Sequence, residues 1–144
     1  MKILVCVDGS EHSSKAMQKA LVLAENSRVE EITLLHVYAG FIKGATFDDA
    51  LDLEQGRKLE LQMEKRGAAI LEQAARAFAG HDFKVDTILK QGHDSHTIVQ
   101  VAAEGNFDLI VIGSRGIGGV KKLFLGSTSN AVVQEARTNV LVVK

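Results

Sequence analysis

Apolar residues gather in five short runs, separated by stretches in which they recur every three or four positions. The runs are Ile3 to Val7 (ILVCV), Glu31 to Val37 (EITLLHV), Phe83 to Leu89 (FKVDTIL), Phe107 to Gly113 (FDLIVIG) and Asn139 to Lys144 (NVLVVK). Three are nearly continuous in leucine and β-branched residues, which is how strands covered on both faces read. Between the first two, Ser10 is placed to cap a helix with Ala16, Met17, Ala20, Leu21 and Ala24 on one side. A longer helix is expected from about Leu53 to Ala79, with Leu59, Met63, Ile70, Ala74 and Phe78 inward and Gly56 and Gly67 weakening it. Asp94 and Ser95 read as caps of a third helix carrying Ile98, Val101 and Ala102, and a fourth, after Ser127 to Ser129, carries Val132, Val133 and Ala136. This alternation predicts parallel strands joined by right-handed crossovers: an α/β fold with one open sheet and helices on both faces. No repeat, linker or low-complexity segment intervenes, so residues 1–144 are expected to form one domain.

A chain of 144 residues buries about 68–70% of its unfolded surface on folding, without help from a metal or disulfide. Apolar residues at 46%, charged residues at 24% and a formal net charge of -1 describe a globule rather than a disordered or fibrous chain. The basic residues are scattered, which argues against nucleic acid. The lone Cys6 excludes an internal disulfide and points to a reducing compartment, read as the cytosol. The apolar part of MKILVCVDGS is too short for a signal peptide, and no run nears the roughly 18 residues of a membrane span. Neither export nor membrane insertion is expected.

In an open α/β sheet, ligands sit beyond the carboxyl ends of the strands where the winding reverses. Two strand ends stand out: Val7-Asp8-Gly9-Ser10 and Ile112-Gly113-Ser114-Arg115-Gly116. The second opens GSRGIGGVKKLFLGSTSN, a stretch from Gly113 to Asn130 with five glycines, three serines and no acidic residue. Strand four beside strand one would bring both ends to one crevice, with the helix after Ser127 aiming its free N–H groups into it. That predicts an anion, phosphate first. Gly113, Gly116 and Gly126 permit close backbone approach and positive φ, while Ser127 and Thr128 add hydroxyls. A helix dipole contributes only about 0.3–1 kcal/mol, so convergent hydrogen bonds must carry the affinity. Arg115, Lys121 and Lys122 either add charge or are solvated loop side chains. Asp8 either accepts from a nucleoside or makes an Asx-turn into Gly9 that caps the next helix; the glycine-rich stretch opposite favours the nucleoside. The common phosphate fingerprints fail: no Gly-Lys-Ser/Thr is present, and Lys121 stands where a Rossmann loop needs its third glycine.

The remaining candidates are weaker. His93 and His96 flank Asp94 but lack a third ligand nearby, so a surface cap is the better reading than a metal site. His36 reads as a packed strand residue and Cys6 as an inert thiol. The segment Tyr38 to Asp52, with Gly40, Phe41, Gly44 and Phe47, is either a lid over a base or a plain connection.

Gly113, two residues, Gly116, nine residues, Gly126 and then Ser127 match the motif of ATP-binding universal stress proteins. The chain resembles that branch throughout, from ILVCVDGS through LLHV, FDLIVIGSRG and LGSTSNAVV to NVLVVK. The resemblance implies a Rossmann-like sheet of five parallel strands in order 3-2-1-4-5. It also implies that Asp8 holds the adenosine end of ATP, Val37 gives a backbone contact to adenine and Gly113 lies beside the ribose. Gly116, Gly126, Ser127 and Thr128 then form the phosphate cradle, with Mg²⁺ carried by the phosphates. Where the family frequently has proline after Gly92, this chain reads His93-Asp94-Ser95-His96. An edge strand five that is apolar from Val140 to Val143 is an aggregation hazard, and a homodimer through that strand would cover it. The expected function is a cytosolic, nucleotide-dependent regulator of stress responses. The rivals are a slow ATP hydrolase or phosphotransfer protein and a nucleotide-free dimeric scaffold. Near the loop only Asp8 offers a base, so turnover is expected to be slow or nil.

Overall fold

The computed structural model describes residues 1–40, 50–117 and 125–144, with side chains from residue 53 onward in the second stretch. Strands β1 (Lys2–Cys6), β2 (Glu31–Tyr38), β3 (Lys84–Gln91), β4 (Leu109–Gly113) and β5 (Asn139–Val143) alternate with helices α1 (Glu11–Asn26), α2 (Ala50–Ala77), α3 (Asp94–Glu104) and α4 (Ser127–Glu135). The strands pair in parallel in the order β3-β2-β1-β4-β5. β1 therefore sits in the middle, with Ile3 level with Ile32 on one side and Leu109 on the other.

Both faces of the sheet are covered, which is why its central strands carry apolar residues without alternation. Ile3, Val5, Ile32 and Leu34 pack with Ala16, Ala20, Leu71, Ala74 and Phe78 on the side of α1 and α2. Leu4, Leu35, Ile110 and Ile112 pack with Ile98, Val101, Ala102 and Val132 on the side of α3 and α4. The small residues Ala16 and Ala20, fully buried, let α1 lie close to the strands.

Several boundaries move from their expected places. α2 begins at Ala50, and Leu59, expected inward, is 54% exposed, while Leu71 takes the buried position. The 28-residue helix outruns an eight-residue strand even though a helix rises only about 1.5 Å per residue and a strand about 3.3 Å, which makes them roughly 42 Å and 26 Å long. Its early turns therefore lack sheet beneath them. Gly67 has a packing reason: a Cβ there would fall 2.6 Å from His36 Cδ2 and 2.7 Å from Leu89 Cδ1. The N-cap of α3 is His93 rather than Asp94 or Ser95, since the His93 carbonyl already accepts from the Thr97 N–H at 2.9 Å. α4 likewise starts at Ser127, with Gly126 as its N-cap.

Candidate functional site

The chain reverses after β1 through a tight turn. Gly9 adopts φ +80°, a conformation that favours glycine. The Ser10 N–H donates to Asp8 Oδ1 at 2.9 Å, and Ser10 Oγ in turn accepts from the Ser13 N–H at 3.1 Å to cap α1. Asp8 thus makes the Asx-turn with one oxygen. Its other oxygen faces across the crevice, where a Cβ on Gly116 would fall 2.7 Å from Oδ2. The two readings of Asp8 are compatible because its two oxygens point to different partners.

A cavity of about 540 Å³ opens at this carboxyl-terminal rim. Asp8 borders it from the turn after β1, Val37 from the end of β2, and Gly113, Arg115 and Gly116 from the end of β4 and the turn beyond. Gly126, Ser127 and Thr128 border it from the start of α4. The fold thus brings all these sequence-predicted residues to one opening. Lys121, Lys122, the Gly118-Gly119 pair and most of the Tyr38 to Asp52 segment lie outside the described residues.

Val37 borders the cavity from the end of β2. The Val7 N–H donates to the Leu35 carbonyl at 2.8 Å, and Val37, two residues on, turns its peptide groups to the same side, beyond the end of β1. Its side chain packs with the Leu4 cluster instead. α4 is tied to the end of β4 by the Gly126 N–H and the Ser129 hydroxyl, which donate to the Ser114 carbonyl at 2.6 Å and 2.8 Å.

Positive φ, expected at Gly113, Gly116 and Gly126, occurs at none of them: Gly126 has φ -68°, and the positive-φ glycines among the described residues are Gly9, Gly80 and Gly92. What these positions require is close approach. A Cβ on Gly113 would lie 2.7 Å from the His12 carbonyl carbon, so this glycine lets α1 cross the end of β4. A Cβ on Gly126 would meet the Ser114 carbonyl oxygen at 3.3 Å.

The structure adds residues that the sequence reading left out. Asp94 borders the cavity from the first turn of α3, and Met63, Arg66 and Ile70 border it from α2. A signal for Asp94 was present: in a parallel sheet every helix that follows a strand starts at the carboxyl-terminal rim. Burial raises the Asp94 carboxyl above its ordinary range and Asp8 adds to this, while His93, His36 and the Thr128 hydroxyl pull it down. Burial also pushes the Cys6 thiol up to about 12, helped by Asp8 and Asp94, so it is neutral at physiological pH. His36 packs as expected, with Nδ1 2.6 Å from the Val7 carbonyl.

A model of the universal stress protein family matches residues 1–144. The chain belongs to this family. Universal stress protein YxiE of Bacillus subtilis is 34% identical, over 99% of this chain and 98% of its own length. Among solved structures, the universal stress protein UspA from Lactobacillus plantarum superposes with a TM-score of 0.86 at 25% identity, covering 100% of this chain and 97% of its own. A universal stress protein solved in complex with cAMP superposes at 0.69 with 26% identity, over 100% of this chain and 97% of that one. The Rossmann-like order 3-2-1-4-5 and the helices on both faces agree with this universal stress protein fold. None of the described helices is long and apolar enough to cross a membrane.

Proposed function

We propose that this universal stress protein binds adenine nucleotides, ATP among them, in the cavity between β1 and β4, and acts as a nucleotide-dependent regulator of stress responses. The observation that carries the reading is the approach of Asp8 to Gly116, where a Cβ would fall 2.7 Å from Oδ2. A nucleoside acceptor and a glycine turn suited to phosphate then border one opening of about 540 Å³. In this reading Asp8 takes the ribose or base, Val37 offers its peptide groups to adenine and Gly113 stands beside the ribose. Gly116, Gly126, Ser127 and Thr128 receive the phosphates, with Arg115 adding charge. A Mg²⁺ ion would arrive on the phosphates, with serine and threonine hydroxyls and the carboxylates of Asp8 and Asp94 as available oxygen donors. The relative with cAMP supports an adenine nucleotide of some kind.

Asp94 gives the rival reading, slow hydrolysis, a second carboxylate at the cavity that the sequence did not reveal. Binding is the stronger reading, because Asp8 is held in its turn by the Ser10 N–H. β5 lies at the sheet edge, and pairing with a second copy there would complete a cytosolic homodimer.

Thermal unfolding with Mg-ATP, ADP and AMP tests this, followed by a phosphate-release assay. A nucleotide at 100 times its Kd stabilises the native state by about 2.7 kcal/mol. His93→Ala keeps this response. Failure of all three nucleotides to shift the melting temperature overturns the reading, steady phosphate release favours the hydrolase, and sedimentation as a monomer removes the dimer.

A further inference from the structure

α4 begins without a side-chain cap, because Gly126 occupies its N-cap position. Negative charge at this helix start comes from another helix instead. Asp94, in the first turn of α3, has the Thr128 hydroxyl as a neighbour that favours its ionised form. Its carboxyl borders the same cavity as Gly126, Ser127 and Thr128. A helix N-terminus favours an anion, and Asp94 already meets part of that preference.

We propose that Asp94 is a resident anion of the phosphate cradle and sets how the cavity ranks nucleotides by phosphate charge. The inference rests on the nucleotide-binding reading above. A phosphate oxygen reaching Thr128 competes with the carboxylate for one hydroxyl donor and meets a like charge beside it. Asp94 is exposed at the cavity's edge, so solvent screens this repulsion in part and the expected effect is moderate. The penalty grows with each charge the ligand brings and vanishes for an uncharged nucleoside.

The groups around Asp94 carry both signs of charge. Cys6 on β1 stays neutral, and Asp8, beyond the end of β1, is a second carboxylate. His36 on β2 and His93 at the start of α3 are the groups that draw the carboxyl toward ionisation. Arg66 on α2 and Arg115 after β4 border the cavity as cations. Asp94 is thus the carboxylate of this mixed-charge setting that stands beside the start of α4, distinct from the glycines that shape the cradle.

Calorimetric titration of the full chain with adenosine, AMP, ADP and ATP, without divalent cations, tests the proposal against Asp94→Asn. Asparagine keeps a carbonyl acceptor for Thr128 and removes the charge. The variant is expected to bind ATP about tenfold more tightly, AMP by a smaller factor and adenosine unchanged. Asp94→Ser gives the same graded series if the asparagine variant does not fold. A uniform change across the four ligands, the mark of a merely structural role, overturns the inference and leaves the nucleotide reading standing. So does an unchanged ratio of ATP to adenosine affinity. A folded parent chain that binds none of the four overturns both.

Discussion

The two rims of the sheet carry charged residues of the same kinds and use them differently. At the amino-terminal rim, charges of opposite sign close on one another. The Lys2 N–H donates to Asp108 Oδ2 at 2.7 Å, and Lys2 Nζ donates to the Gly105 carbonyl at 2.9 Å. The same ammonium lies 3.7 Å from Glu31 and 4.9 Å above the Phe107 ring. Lys84 joins Glu31 to Asp86. A hollow of about 450 Å³ lies here too, bordered by Lys2, Glu31, Asp86 and Phe107, and Lys2 and Glu31 on its border are already paired with each other. At the carboxyl-terminal rim the carboxylates of Asp8 and Asp94 have peptide N–H groups and hydroxyls as neighbours, and they stand around the larger cavity. One rim uses its polar groups for cohesion. The other holds donors and acceptors in place with room left between them.

The largest test of this contrast is chemical. Alkylation of Cys6 in the native chain should run roughly a thousandfold slower than that of a free thiol at mildly alkaline pH, because its pKa of about 12 leaves so little thiolate. The rate should rise as pH approaches that value, and reactivity like that of a free cysteine would deny that burial and the carboxylates of Asp8 and Asp94 hold this thiol neutral at the cavity's edge. Next, Gly126→Val should erase the nucleotide-induced stabilisation of about 2.7 kcal/mol at 100 times the parent Kd, read as a lost melting shift. Gly113→Ala should cost about 2 kcal/mol without any ligand, since its Cβ would press on the His12 backbone and α1 must yield. Asp108→Ala, at the other rim, should cost about 1 kcal/mol in denaturant titrations and leave any nucleotide response intact. Smallest is Lys84→Ala, which should leave the denaturation midpoint nearly where it was, because its ion pairs are exposed. A large loss there, or a changed nucleotide response in Asp108→Ala, would erase the distinction between the rims.

The architecture was readable because each strand and helix declares its own period over a few adjacent residues, and parallel alternation leaves few ways to connect them. The cavity's glycines and Asp8 were readable for a related reason, as each lies in a short segment whose composition departs from its surroundings. Asp94 escaped notice because nothing local separates a carboxylate that caps a helix from one that borders a cavity. That distinction exists only once α3 lies beside α4. Gly113 was recognised as a cavity residue, but its constraint comes from His12, a hundred positions away in the chain, which no local pattern encodes. Leu59 was assigned inward from its spacing alone, and the spacing cannot tell where a long helix runs past the sheet.

The central position of β1 has a bearing on how the molecule is assembled. Its ladder to β2 needs only the neighbouring stretch of chain, whereas its ladder to β4 pairs Ile3 with Leu109. Such distant pairings form slowly, after much entropy has been spent on loop closure. Until β4 docks, the crevice has one wall. A growing polypeptide that has not yet delivered β4 offers a nucleotide nothing to grip, so any ligand of this crevice rewards the finished molecule and draws the last folding step to completion by mass action.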